Sequence, residues 1–203
     1  MNFQNVSFRY YKNSPEWVIE NISFKLEAGK TLGIIGSTGS GKSTLVSMIP
    51  RLYDTDEGTV LIDGINVRDY GLKPLREGIG MVLQNNTLFS GSITENLKWG
   101  DEDADENAVR TAAEKKKPKI LILDDSTSAV DTATERAIRE ALLHRYRDMT
   151  KIIIAQRIRS VMDADEILVL DNGKAAGFGT HEQLLADCPV YREIYDVQNG
   201  REE

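Results

Sequence analysis

Short apolar runs alternate with polar turns along most of this chain, and the spacing of the apolar positions predicts an element for nearly every run. Residues 2–10 alternate, with Val6, Phe8 and Tyr10 on one face, the pattern of a half-buried strand. A loop over 10–15 leads to residues 17–26, which read as one or two further strands, and a turn over 27–30 follows. Residues 32–35 form a continuous apolar run, the mark of a strand buried on both faces, and 42–52 read as a helix. After a turn at 54–58, residues 59–62 and 65–67 flank Asp63-Gly64 as a hairpin. The N-terminal portion is thus predicted to be rich in antiparallel strands.

Farther along, residues 79–83 predict a short strand ending at Gln84, and Ser92 and Glu95 stand at the spacing of a capping box that opens a helix. A second helical stretch, 105–114, is interrupted by Lys115-Lys116-Lys117-Pro118, whose charge suits a solvated helix end. Residues 120–123 are again continuously apolar and run into Asp124-Asp125. Asp131 opens a helix to about residue 147, with Thr132 and Glu135 at capping-box spacing and Ala137, Ile138, Ala141 and Leu142 as its inward stripe. Residues 151–155 and 166–170 read as buried strands, Asn172-Gly173 as a hairpin turn into 174–179, and Thr180 with Gln183 as the cap of a terminal helical region. No internal repeat or low-complexity segment interrupts the series.

Composition narrows the class without choosing the function. The 203 residues, 40% hydrophobic and 28% charged, suffice for one substantial core. A net charge of −7 argues against a general nucleic-acid binder, which needs a basic excess to neutralise phosphates. A single cysteine, Cys188, excludes an internal disulfide and fits a reducing compartment. No run has the length of a membrane-spanning helix and the N-terminus lacks a signal-peptide pattern, so work at a membrane would go through a partner.

One stretch carries chemistry by itself. Gly36-Ser37-Thr38-Gly39-Ser40-Gly41-Lys42-Ser43-Thr44 satisfies the pattern G-x-x-x-x-G-K-[ST] in full, between the predicted strand 32–35 and the predicted helix 42–52. Glycines let successive backbone N–H groups curl around phosphate oxygens, and the following helix adds its positive end. Lys42 would reach the β- and γ-phosphates, and the Ser43 hydroxyl would hold Mg²⁺. The chain is therefore expected to bind a nucleoside triphosphate. Asp124, at the carboxyl end of a buried strand, is the second half of such a metal site.

With these elements placed, nearly the whole chain resembles the nucleotide-binding domain of an ABC exporter. The loop at 36–44, the strand ending in Gln84, the sequence Leu121-Ile122-Leu123-Asp124-Asp125, the segment from Ser126 to Asp131, and the C-terminal hairpin followed by Gly179-Thr180-His181-Glu182-Gln183 all fall in family order. The resemblance implies an α/β fold: a P-loop NTPase (RecA-like) core with a mostly parallel sheet (31–57 and 71–203) and an antiparallel β-subdomain (1–30 and 58–70). It implies ATP and Mg²⁺ as ligands, with Tyr10 stacking on adenine. Tyr11 is a possible substitute, and alternation would equally turn Tyr10 inward onto its own sheet. Gln84 would link Mg²⁺ and the attacking water to a transmembrane partner. Residues 128–131 would touch a second nucleotide-binding domain, although Asp131 also serves as a helix cap. The implied location is the cytoplasmic face of the membrane, with no nucleic-acid partner.

Three departures from the family pattern change what is expected. Where the family has a glutamate that polarises the attacking water, this chain has Asp125, one methylene shorter. Where the family has a histidine facing the γ-phosphate, it has Gln156, which donates a hydrogen bond but carries no charge. Together they resemble the degenerate ATP site in one half of a heterodimeric exporter, in which hydrolysis is weak or absent and the other half is catalytically competent. Third, only 40 residues separate Gln84 from Asp124, and the helical subdomain with its LSGGQ signature is missing, which reads as an excision near residues 114–117. Two other classes stay open: an ATPase head of the chromosome-maintenance type, which would need a signature sequence in its C-terminal lobe, and a purely regulatory ATP-binding module.

Overall fold

The computed structural model describes residues 1–84, 90–115, 118–124, 137, 140, 142, 146 and 148–200. Asp125, the Ser126–Asp131 segment and most of the helix expected over 131–147 lie outside the described residues; positions 137, 140 and 142 are helical, and Ala137 is exposed rather than inward.

Strand β3 (Thr31–Gly36) is the centre of the molecule, and all six of its residues are buried. It pairs in parallel with β8 (Thr150–Ile154) on one side and β9 (Glu166–Asp171) on the other. Beyond β8 come β7 (Ile120–Asp124) and β6 (Ile79–Val82), also parallel, while β10 (Lys174–Gly179) closes the opposite edge as the antiparallel partner of β9. The β9–β10 turn is Asn172-Gly173 with both φ angles positive, as a two-residue hairpin requires.

Strand period 2 divides the core into two layers. Leu32, Ile34, Leu168 and Leu170 face one layer with Ile122, Ile152, Leu45 and Ile49. Ile35, Ile167 and Val169 face the other, with Ile158, Val161, Leu184 and Tyr191. Helix α1 (Lys42–Ser47) belongs to the first layer, and the C-terminal helices α5 (His181–Asp187) and α6 (Pro189–Asn199) cover the second. The capping boxes read at Ser92–Glu95 and Thr180–Gln183 both form, opening α3 (Ile93–Leu97) and α5. Helix α4 (Glu106–Lys115) lies between α3 and β7.

A second, antiparallel sheet has the order β2-β1-β4-β5, from β1 (Asn2–Phe8), β2 (Ile19–Lys25), β4 (Glu57–Ile62) and β5 (Ile65–Asn66). Phe3 stacks on Phe24 with ring centres 4.6 Å apart, and both enter the first core layer. The alternation expected over residues 2–10 breaks at Asn5, whose φ is 48°. Register shifts between Phe3 and Val6 and again before Phe8 put Val6, Ser7 and Phe8 all inside, and the strand stops at Phe8. Helix α1 is shorter than the predicted 42–52. Pro50 offers no N–H, Met48 and Ile49 donate to carbonyls three residues back, and Arg51 adopts a φ of 53°. Helix α2 (Leu72–Glu77) carries no apolar stripe to read, only Leu75 buried. Among the described residues no helix is long and apolar enough to cross a membrane.

At the amino end of the central strands, Asp165 accepts hydrogen bonds of 2.8 Å from the Lys30 ammonium and from the Thr31 N–H that begins β3. Burial alone would push this carboxyl up, but those two bonds and the nearby Lys30 and Lys151 charges outweigh it and hold it below the usual carboxylate range. A depressed folded-state value means that the contribution is complete above about pH 4 and is lost as pH falls through the folded value. Asp165→Asn is expected to cost about 1 kcal/mol at neutral pH, the low end for a charge-assisted bond because the Lys30 pair is solvent-screened. Urea denaturation at pH 7 and pH 3 should show the wild type and the variant converging at the lower pH.

Candidate nucleotide site

Because β6, β7, β8 and β3 run parallel and in register, their carboxyl ends emerge along one edge of the sheet. That edge is where α/β folds build ligand sites. Here it delivers Gln84 beyond β6, Asp124 as the last residue of β7, Gln156 beyond β8, and the phosphate-loop residues beyond β3. Residues from these four strand ends line one cleft of about 320 Å³: Thr38, Gly39, Gly41, Lys42, Ser43, Thr44, Gln84, Asp124 and Gln156. Tyr10 and Val18 close it from the connection between β1 and β2.

The loop has the conformation its sequence requires. Gly39 and Gly41 have φ angles of 82° and 94°, in the left-handed region where a Cβ is disfavoured. A Cβ on Gly36 would stand 2.1 Å from the Leu170 carbonyl oxygen, so only glycine lets β9 pass behind the loop. Gly36 and Ser40 are buried behind the cleft, and Ser37 is exposed outside its lining. Ser40 Oγ is buried without a hydrogen-bond partner among the described residues, a polar atom enclosed by the close loop packing. Lys42 is only 9% exposed, and its Nζ donates 2.8 Å bonds to the carbonyls of Gly36 and Ser37. A buried ammonium needs such partners, and these two hold it over the curl of the loop.

Tyr10 is neither tucked inward nor free. It is 50% exposed, meets Phe8 and Tyr53 edge-on at 5.1 and 5.3 Å, and its hydroxyl lies 2.8 Å from Thr44 Oγ1. Tyr11, 79% exposed, does not line the cleft, which leaves Tyr10 as the aromatic lining it among the described residues. The loop between them and β2 is braced by the Arg9 guanidinium, 3.6 Å above the Trp17 ring centre. Trp17, expected in a strand, serves this brace instead. Tyr53, Val18 and Ile154 were beyond sequence reading, because their places follow from the approach of the two sheets rather than from any local pattern.

The donor set suits a hard cation. Ser43 offers a hydroxyl, Gln84 an amide oxygen and Asp124 a carboxylate that is 4% exposed, all oxygen ligands of the kind Mg²⁺ prefers. Among the described residues no three His, Cys, Asp or Glu side chains cluster as a metal cage. A cation here would accordingly share phosphate oxygens, the usual arrangement for Mg²⁺ at nucleotide sites. Asp125 lies outside the described residues.

A family model described as ABC transporter matches residues 19–126, slightly more than half of the chain. The chain belongs to the ABC transporter family. It is 38% identical to the ABC transporter ATP-binding protein YfiB of Bacillus subtilis, over the whole of this chain and 42% of the relative. It is 35% identical to the ATP-dependent lipid A-core flippase of Haemophilus influenzae, over 98% of this chain and 40% of the relative. The solved structure of a bacterial Atm1-family ABC exporter with ATP bound superposes with a TM-score of 0.86 at 30% identity, covering 97% of this chain and 41% of that one. The chain thus spans about two fifths of the length of these relatives. Its alignment with YfiB runs over 242 positions against the 203 residues present here, leaving about 40 positions with no counterpart in this chain.

The glycine geometry generates a contrast within the loop. Gly39→Ala meets nothing within 4 Å and is expected to cost about 1 kcal/mol of left-handed strain. Gly36→Ala forces a Cβ onto backbone and is expected to cost about 3 kcal/mol or more, read as a far lower melting temperature than that of the Gly39 variant.

Proposed function

We propose that this chain binds Mg·ATP as the nucleotide-binding part of an ABC exporter half with a degenerate catalytic site. The observation that carries the reading is the convergence of Tyr10, the phosphate loop, Gln84, Asp124 and Gln156 on a single cleft. Bound Mg²⁺ would supply charge neutralisation for the phosphates. Ser43, Gln84 and Asp124 would hold it, Lys42 would meet the β- and γ-phosphates, and Tyr10 would stack on adenine. Backbone N–H groups of residues 36–44 would cradle the phosphate chain.

Hydrolysis is expected to be slow. Asp125 is one methylene shorter than the glutamate that polarises water in the family, and a displacement on the order of 1 Å costs about a hundredfold in rate. Gln156 donates a hydrogen bond where the family's histidine carries charge. The similarity to a flippase and to an exporter supports a role in transport, with a transmembrane domain and a second, competent nucleotide-binding domain as partners at the cytoplasmic face of the membrane.

The same reading includes the loss of the helical subdomain near residues 114–117. Helix α4 ends at Lys115 and β7 begins at Ile120, and the roughly 40 unmatched positions in the YfiB alignment support an excision of subdomain size. It also divides the chain into an antiparallel β-subdomain (1–30 and 58–70) and a phosphate-loop core (31–57 and 71–203). A half without the LSGGQ segment would bind ATP in its own site but leave the partner's site unclosed.

Two measurements test this. Lys42→Ala should weaken ATP binding by about a hundredfold or more, since it removes charge-assisted contacts to two phosphates, and unchanged affinity by fluorescent-nucleotide titration overturns the assignment. Asp125→Glu with Gln156→His, in a full-length pair, should restore appreciable hydrolysis. No gain would favour a binding-only regulatory module.

A further inference from the structure

Helix α6 begins with Pro189 at its first turn, is anchored by the fully buried Tyr191, and packs on the core layer that also holds Ile158 and Val161. Its last turn brings Gln198 against the segment that leaves β8. The Gln198 side chain grips this segment with both ends of its amide. Nε2 donates to the Gln156 carbonyl at 2.8 Å, and Oε1 accepts from the Ile158 N–H at 2.8 Å. One partner is an acceptor and the other a donor, so the orientation of the amide is fixed by the pairing itself. Just upstream, the Ala155 N–H still reaches the Ile34 carbonyl of β3. The backbone at Gln156 is therefore tied on one side to the central strand and on the other to the C-terminal helix, from a residue 42 positions away.

We propose that Gln198 is a positioning residue for Gln156, and that α6 thereby sets how the cleft grips the terminal phosphate of a nucleoside triphosphate. The inference rests on Gln156 being the phosphate-facing residue of the proposed site. Gln156 lines the cleft, while its carbonyl is held by Gln198. Two bonds that straddle Arg157 restrict both flanking peptide planes, and so the direction in which the Gln156 side chain leaves the backbone. Releasing them costs no contact with base, sugar or inner phosphates. The effect should appear only for ligands that carry the third phosphate.

The test measures ATP and ADP affinities of the full chain by displacement of a fluorescent nucleotide. Gln198→Ala should weaken ATP by about threefold to tenfold, the worth of one hydrogen bond, and leave ADP within about twofold. Gln156→Ala should do the same, and the double variant should lose no more than either single one, because the two residues act in series. Gln198→Glu keeps the acceptor for Ile158 but loses the donor for Gln156. It should show the ATP-selective loss while Ile158 amide exchange stays slow, whereas Gln198→Ala should also speed that exchange. Should the alanine variant fail to fold, the glutamate variant carries the test alone. Equal weakening of ATP and ADP, an unmoved ATP-to-ADP ratio, or multiplying effects in the double variant overturns the proposal. If Gln156→Ala shifts the ratio and neither Gln198 variant does, only the positioning role fails. If Gln156→Ala does not shift it, the reading of Gln156 fails and the positioning role with it.

Discussion

Everything at the cleft depends on the parallel register that β3 keeps with β8 and β9. A parallel pair has evenly spaced, slanted hydrogen bonds, and its strands must be buried on both faces, so neither neighbour can slip without exposing its apolar residues. Ile34 opposite Ile154 and Leu168, with Asp124 opposite Ile154 in turn, fixes where each strand ends. Polar side chains that are distant in sequence then stand side by side because the apolar residues before them have no alternative pairing. The glycine at the tip of β3 belongs to the same constraint, since the Leu170 carbonyl of β9 occupies the space a side chain would need.

Each end of this sheet holds a buried lysine on two backbone carbonyls. At the amino end, the Lys151 ammonium is buried and spends its protons on the carbonyls of Tyr146 and Met149; burial pushes its pKa down, with Asp165 and Asp148 opposing. That lysine is structural. At the carboxyl end, Lys42 is held by carbonyls of the very loop that forms the cleft and itself lines that cleft, where the proposed phosphate contact would fall. Similar burial and similar acceptors distinguish a brace from a binding group only through what lies beyond the ammonium.

How much was legible beforehand follows from how local each signal is. The loop at 36–44, the capping boxes at Ser92 and Thr180 and both two-residue hairpins are written in neighbouring residues, and each appears where the pattern puts it, while the box read at Thr132–Glu135 lies outside the described residues. The continuous apolar runs also announced the parallel strands. What escaped was set by contacts between elements. Asn5 shifts the register of β1 only because β2 and β4 hold it on both sides. Helix α2 has a single buried residue and no period. Tyr53, between α1 and β4, reaches Tyr10 beyond the end of β1, and Gln198 reaches Gln156 across 42 positions of sequence. The family resemblance named Tyr10, Gln84, Asp124 and Gln156, which line the cleft, but not Gln198, which holds the backbone at Gln156.

The hydroxyl pair of Tyr10 and Thr44 ties the antiparallel sheet to the residue next to Ser43. In the proposed reading this bond would join the aromatic that stacks on the base to the loop that seats the phosphates, so that neither would shift without the other. A nucleotide bound that way would be matched for length as well as for chemistry, its ring at Tyr10 and its phosphates at Lys42.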